Sequence, residues 1–295
     1  MTVAVRPLHL ALFVGIMLIW GLNLVIAKIG LAHLPPLFFM ALRFALVALL
    51  LVPFAKRPVR AWRKLLLISV TLGFLHFALM FTGLTQIDAA TAAITVQLQV
   101  PFAAILAALF FGDRLGWRRA LGLAIAFVGT GLIAGEPRIA GQYLHLAMVV
   151  GAAFFWAVAN IQIKSLDNID GLTLNAWVSI FAAPQLLLAS ALLEEGQIQA
   201  IKAADWIIVG AVVYQAVLVV CVGYGLWYWL LRQYALNQAM PFTLLVPVVG
   251  VAAGVLILGE PLTFALIAGG LLTIVGVGII VLRRPKLARP ETERV

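Results

Sequence analysis

The stretch LHLALFVGIMLIWGLNLVIAKIG from Leu8 returns 136 residues later as LHLAMVVGAAFFWAVANIQIKSL, with eight identities across the 21 positions from Leu8 to Lys28. His9/His145, Gly15/Gly151, Trp20/Trp156 and Lys28/Lys164 are among the matches. A second echo, 147 residues apart, sets Gly112–Ile133 against Gly259–Ile280 and keeps the glycine pairs Gly122/Gly269, Gly129/Gly276 and Gly131/Gly278. Whatever this chain folds into is built from one unit used twice.

The repeated unit is apolar. With 64% hydrophobic and 11% charged residues over 295 positions, the chain lies far from soluble domains, in which about a quarter of residues are charged. Runs of the length that crosses a hydrocarbon core fall near 8–28, 35–55, 62–85, 88–111 and 116–135, and again near 142–164, 171–193, 205–231, 236–258 and 261–282. The expected fold is therefore an all-α integral membrane protein of ten transmembrane helices. Residues 1–137 form the first five-helix repeat, 138–284 the second, and 285–295 a tail. The apolar run after Arg6 lacks a small-residue cleavage site and reads as a first span, not a leader.

Ten spans place both termini on one side, together with the loops after spans two, four, six and eight. That side holds 16 of the 20 Lys and Arg, including Lys56, Arg57, Arg60, Arg63, Lys64, Arg114, Arg118, Arg119, Arg283 and Arg284; the other holds only Lys28, Arg138 and Lys202. Basic residues collect on the cytoplasmic side of membrane proteins, so both termini are expected there. This distribution also accounts for the net charge of +9 without invoking nucleic acid. Because each repeat has an odd number of spans, the second copy crosses in the opposite sense, giving two inverted repeats. Inverted repeats recur in secondary transporters, whose substrates bind near the midplane between rocking halves.

The segments WGLNLVIAKIG (Trp20–Gly30), PPLFFMALRF (Pro35–Phe44), FFGDRL (Phe110–Leu115), VGYGLW (Val222–Trp227), LLVPVVG (Leu244–Gly250) and LGEPL (Leu258–Leu262) resemble the drug/metabolite transporter superfamily, and within it the EamA type. The resemblance covers essentially the whole chain. It implies ten helices around a central cavity and a bacterial inner-membrane exporter of amino acids and related metabolites, of broad specificity including aromatic and other neutral amino acids. The alternative within the same superfamily is drug or cation efflux. One departure is visible: the second copy reads Trp156-Ala157-Val158-Ala159-Asn160 where the first reads Trp20-Gly21-Leu22-Asn23, which displaces the amide by one residue.

Candidate cavity residues emerge from polarity inside apolar runs. Tryptophan favours the membrane interface, so the mid-span Trp20 and Trp156, with Asn23 and Asn160 nearby, point to a polar cavity. Thr95 and Gln99 share one helical face of span four with Asp88 and Thr91, while Gln97 points away. One glutamine is expected to face a cavity, and hydrogen bonding between helices is the competing role for this face. Pro101 and Pro247 stand at matching places in spans four and nine as kinks or hinges. Arg43 and His76 are the deepest ionisable groups. Arg43 either bonds helix carbonyls or meets a substrate carboxylate; His76 either packs or serves as substrate contact or proton relay. In span eight, Tyr214 and Trp227 are expected at the cavity, whereas Tyr228, Trp229 and Tyr234 fit an interfacial belt.

Missing features narrow the chemistry. No phosphate-binding GxxxxGK[ST] loop occurs, Cys221 stands alone, the histidines are scattered without HExxH, and Asp88, Asp113, Glu136, Glu194, Glu195, Asp205 and Glu260 all fall at span ends or in loops. No enzyme activity, metal or cofactor is expected. The partners are a small-molecule substrate and the lipid bilayer. The glycines of spans five and ten suit close helix packing, either within the chain or at a homodimer surface.

Overall fold

The computed structural model describes residues 6–58, 61–111, 116–166, 169–234 and 236–282. Arg60, Asp113, Arg114, Arg283, Arg284 and the expected tail lie outside them. Ten helices are long and apolar enough to cross a membrane: span one Pro7–Leu31, two Pro36–Phe54, three Trp62–Leu84, four Ala89–Phe110 and five Trp117–Ala134. The second set is span six Tyr143–Lys164, seven Gly171–Leu193, eight Trp206–Leu231, nine Met240–Leu258 and ten Phe264–Val281. No strand occurs among the described residues.

Local chemistry sets several span ends. Pro7 and Pro36 open their helices at positions where the missing N–H costs nothing. Asp170 Oδ1 accepts from Thr173 N at 2.8 Å, and Asp205 Oδ1 from Ile207 N and Ile208 N at 2.9 and 3.1 Å, capping spans seven and eight. Span nine stops at Gly259, whose φ of +68° is a left-handed conformation that a side chain resists.

The packing obeys the repeat. Spans two and seven lie against each other, as do five and ten. Span one lies against eight and nine, and its counterpart span six against three and four. Exchanging each span for the one five places away turns this set of pairings into itself, which is the pseudo-two-fold relation expected of inverted halves.

Spans five and ten meet backbone to backbone. A Cβ on Gly129 would stand 2.5 Å from the Gly269 carbonyl oxygen, and one on Gly276 2.5 Å from the Gly122 oxygen. Thr130 and Thr273, 3.4 Å apart between hydroxyls, lie buried in the same seam. These glycines are thus occupied within the chain rather than at a homodimer surface; Gly131, by contrast, faces open space. Overpacking a tight contact costs about 1–3 kcal/mol. Gly129→Ala is therefore expected to lower the melting temperature of the purified protein in detergent by several degrees, and Gly131→Ala to leave it within experimental error.

Candidate substrate cavity

A cavity of about 670 Å³ lies among spans one, two, three, four, six, seven, eight, nine and ten. Of the residues anticipated from sequence, Trp20, Asn23, Arg43, His76, Gln97, Gln99, Trp156, Asn160 and Trp227 line it; Thr95 and Tyr214 do not. Its wall reaches Ile163, Leu174, Met240 and Val281 at the end that carries the basic loops, the basic end. Toward the opposite, far end it stops at Leu24, Phe81 and Ala93, inside the spans.

Both glutamines of span four reach the cavity because the helix changes pitch between them. Val96–Leu98 is a 3-10 turn. Three residues turning 120° each instead of 100° rotate the remainder of the span by about 60°. This separates Gln99 from the face of Thr91 and Thr95, whose hydroxyls are fully buried with no hydrogen-bond partner. Span nine does the same at Met240–Leu244. Each 3-10 segment ends three residues before a proline, Pro101 or Pro247. Those prolines leave the carbonyls of Gln97 and Thr243, four residues back, without their usual donor. Gln97 and Thr243 both line the cavity.

Spans three and eight depart from α-helix in the other direction, with wide π-helical turns at Ser69–His76 and Tyr214–Tyr224. Each wide segment ends at a ring that packs on the tryptophan of the opposite repeat. His76 meets Trp156 with ring centroids 4.8 Å apart, and Tyr224 meets Trp20 at 5.1 Å. His76 Nδ1 lies 2.8 Å from the Ala152 carbonyl, which requires the ring proton on that nitrogen. Trp20 Nε1 donates to the Val219 carbonyl at 3.3 Å, and Gly223 has no Cβ to block that indole.

Tyr214 serves another purpose. Its hydroxyl donates to the Ile19 carbonyl at 2.8 Å, and the neighbouring Gln215 Nε2 to the Asn23 carbonyl at 3.2 Å, so span eight holds the backbone of span one on either side of Trp20. The wide turns also bring Tyr224 and Tyr228 into the cavity wall, where an interfacial place was expected for Tyr228. Tyr234 is buried too, its hydroxyl 2.7 Å from His9 Nδ1, while Trp229 remains half-exposed. The signal for the two tyrosines was their spacing of four within VGYGLWY, which puts both rings on one face.

Arg43 is the electrostatic centre of this wall. It is 2% exposed, its guanidinium carbon is 4.3 Å from the Phe77 ring centroid and 5.3 Å from that of Phe44, and Nη1 reaches only Met40 Sδ at 3.8 Å. Among the described residues Nε has no partner, and no helix carbonyl receives the guanidinium. Among the described residues no carboxylate pairs with it, and none lines the cavity. Asn23 contributes the converse, a buried amide oxygen with no donor.

Residues 8–135 and 144–282 each match the model of the EamA-like transporter family. The chain belongs to that family. It is a multi-pass membrane transporter and not an enzyme. A "probable amino-acid metabolite efflux pump" of Salmonella typhimurium is 34% identical over 274 residues, covering 90% of this chain and 91% of that protein. The protein of the same description from Escherichia coli K12 matches at the same identity and coverage. A "probable terminal-alkyne amino-acid exporter" of Streptantibioticus cattleyicolor is 28% identical over 200 residues, 67% of this chain and 66% of its own. A chain of known crystal structure superposes over 93% of this one and 96% of itself with a TM-score of 0.62 at 16% identity, a likeness of fold alone.

Loss of one hydrogen bond costs about 0.5–1.5 kcal/mol. Tyr214→Phe is therefore expected to lower the melting temperature of this EamA-like transporter modestly while leaving its transport KM within twofold of wild type.

Proposed function

We propose that this transporter exports amino acids and related metabolites across the bacterial inner membrane by alternating access, with its basic end in the cytoplasm and its cavity loaded from there. Arg43 carries the reading. An unpaired guanidinium in the membrane interior costs about 3 kcal/mol, and a carboxylate entering the cavity is the group that offsets this cost. The Asn23 amide oxygen accepts from the substrate ammonium. Trp20, Trp156, Trp227 and the ring of Tyr224 face the side chain, and Gln97, Gln99 and Asn160 supply adaptable amides. A cavity of about 670 Å³ with aromatic walls suits neutral and aromatic side chains alike, hence broad specificity. The descriptions of the relatives from Salmonella, Escherichia and Streptantibioticus support the same substrate class. Pro101 and Pro247, each beside a 3-10 segment, act as hinges of spans four and nine, and His76 is the one titratable group at the cavity suited to relay a proton.

Drug or cation efflux fits less well, because a cavity with Arg43 and no acid repels a permanent cation. Counterflow in proteoliposomes separates the two readings. Radiolabelled neutral amino acids should exchange saturably and a quaternary amine should not. Removing a charged hydrogen bond worth about 1.5–3 kcal/mol should raise KM for amino acids about 10- to 100-fold in Arg43→Gln. Trp20→Ala and Trp156→Ala should change the ranking of substrates by size. Exchange of the quaternary amine at wild-type rates, with Arg43→Gln silent toward amino acids, would reverse the assignment.

A further inference from the structure

The far end of the molecule is closed by bonds that nothing in the cavity explains. Span nine ends at Gly259, and the left-handed turn there sends Glu260 back under the start of span four. Its two carboxylate oxygens accept from Ala89 N at 2.7 Å and Ala90 N at 2.8 Å. A carboxylate here satisfies two otherwise orphaned N–H groups and meets the positive end of the helix. Gly254 leaves the space that the carboxylate fills, because a Cβ there would collide with it. Glu260 is 7% exposed and has no ion-pair partner within 4 Å among the described residues, so its charge is held by those two backbone donors, with the Lys28 ammonium attracting it from farther away.

Other bonds surround this one. Lys28, at the end of span one, donates to the Ile87 carbonyl at 2.5 Å, one residue before the span-four cap begins. Arg138, in the linker between the repeats, bridges Asp88 at 2.8 Å and Glu136 at 2.9 Å. Partial burial works against the charge of Arg138, but Glu136 and Asp88 outweigh it and hold the guanidinium above its ordinary range. Glu136 in turn accepts from Thr263 Oγ1 at 3.1 Å, just beyond Glu260. The loop from nine to ten, the loop from three to four, the linker and span one therefore meet at one knot. The cavity stops short of it and reaches the opposite end.

We propose that Glu260 is the latch of the far-end gate: its carboxylate ties the second repeat to the first turn of span four, and the release of those two bonds is the step that opens the cavity to the far side. Span four is the element that moves. It also carries Gln97, Gln99 and Pro101, so the latch and the cavity share one helix. Glu260 is a positioning residue that touches no substrate. The proposal rests on the alternating-access part of the functional reading and not on the substrate assigned above.

Sided thiol labelling tests it without any substrate, so a wrong substrate and a wrong latch give different results. In a Cys221→Ser background, Met80→Cys places a reporter near the far boundary of the cavity wall. A membrane-impermeant maleimide is added to right-side-out and to inside-out vesicles. In Glu260→Gln the rate from the far side should rise at least about fivefold and the rate from the basic side should fall, since one oxygen that accepts from an N–H becomes an amide that cannot. Glu260→Asp, too short to reach both N–H groups, should lie between. Unchanged rates from both sides, in protein that melts like wild type, would overturn the proposal. A second variant covers a folding failure of the first: Ala89→Cys with Glu260→Cys, joined by a short methanethiosulfonate cross-linker, should lose substrate flux and regain it on reduction. Flux persisting in fully linked protein would overturn the latch as well.

Discussion

In hydrocarbon, a backbone N–H or C=O without a partner costs several kcal/mol, so a chain that crosses it is confined to regular helix except where protein or water replaces lipid. That constraint organises this transporter. Apart from the 3-10 turn Val52–Phe54 that closes span two, every departure from α-helix inside the described spans (the 3-10 turns of four and nine, the wide turns of three and eight) includes or directly precedes residues of the central cavity. In the body of the spans the irregular backbone lies there, and it sets which side chains face inward. Gln97 and Gln99 share the cavity because the pitch tightens between them; Tyr224 reaches Trp20 because the pitch widens before it.

Charge is kept out of the spans in the same way. Apart from the exposed Glu195, the acids of the described chain sit at span ends, where they cap helices or pair with Lys56 and Arg138. Glu194 does for span two what Glu260 does for span four, accepting from Leu37 N and Phe38 N at 2.7 and 3.0 Å. Among the described residues Arg43 alone is left inside a span without a counter-charge or a carbonyl, stacked on Phe77 in the cavity wall. The interior is thus biased toward anions by one residue, and the ends are held by carboxylates on backbone amides.

Much of this is legible in the amino-acid sequence. Apolar run length predicts all ten spans to within a few residues, since water and lipid leave no other reading of twenty predominantly apolar positions. The duplicated glycines and tryptophans predict the repeat, and polarity within apolar runs predicts nine of the side chains at the cavity wall. What escapes depends on register and on long-range partners. A uniform 100° per residue puts Thr95 beside Gln99, and that rule fails across a 3-10 turn. Tyr214 looks like a ligand group because a phenol in a membrane needs a partner; the partner is the Ile19 carbonyl, 195 positions away. The GEPL segment reads as a family mark at a span end, and nothing within it says that its glutamate lies against the start of span four.

The glycine seam between spans five and ten has a meaning beyond stability. Each is the last helix of its repeat, and each brings its glycines to the other at backbone distance. A five-helix unit by itself would turn that bare strip toward lipid, which cannot follow so narrow a groove. Here the matching strip belongs to the second unit, lying the opposite way through the membrane. The join between the halves is thus older in logic than the linker that connects them: the fold is a dimer whose second subunit happens to be written on the same chain.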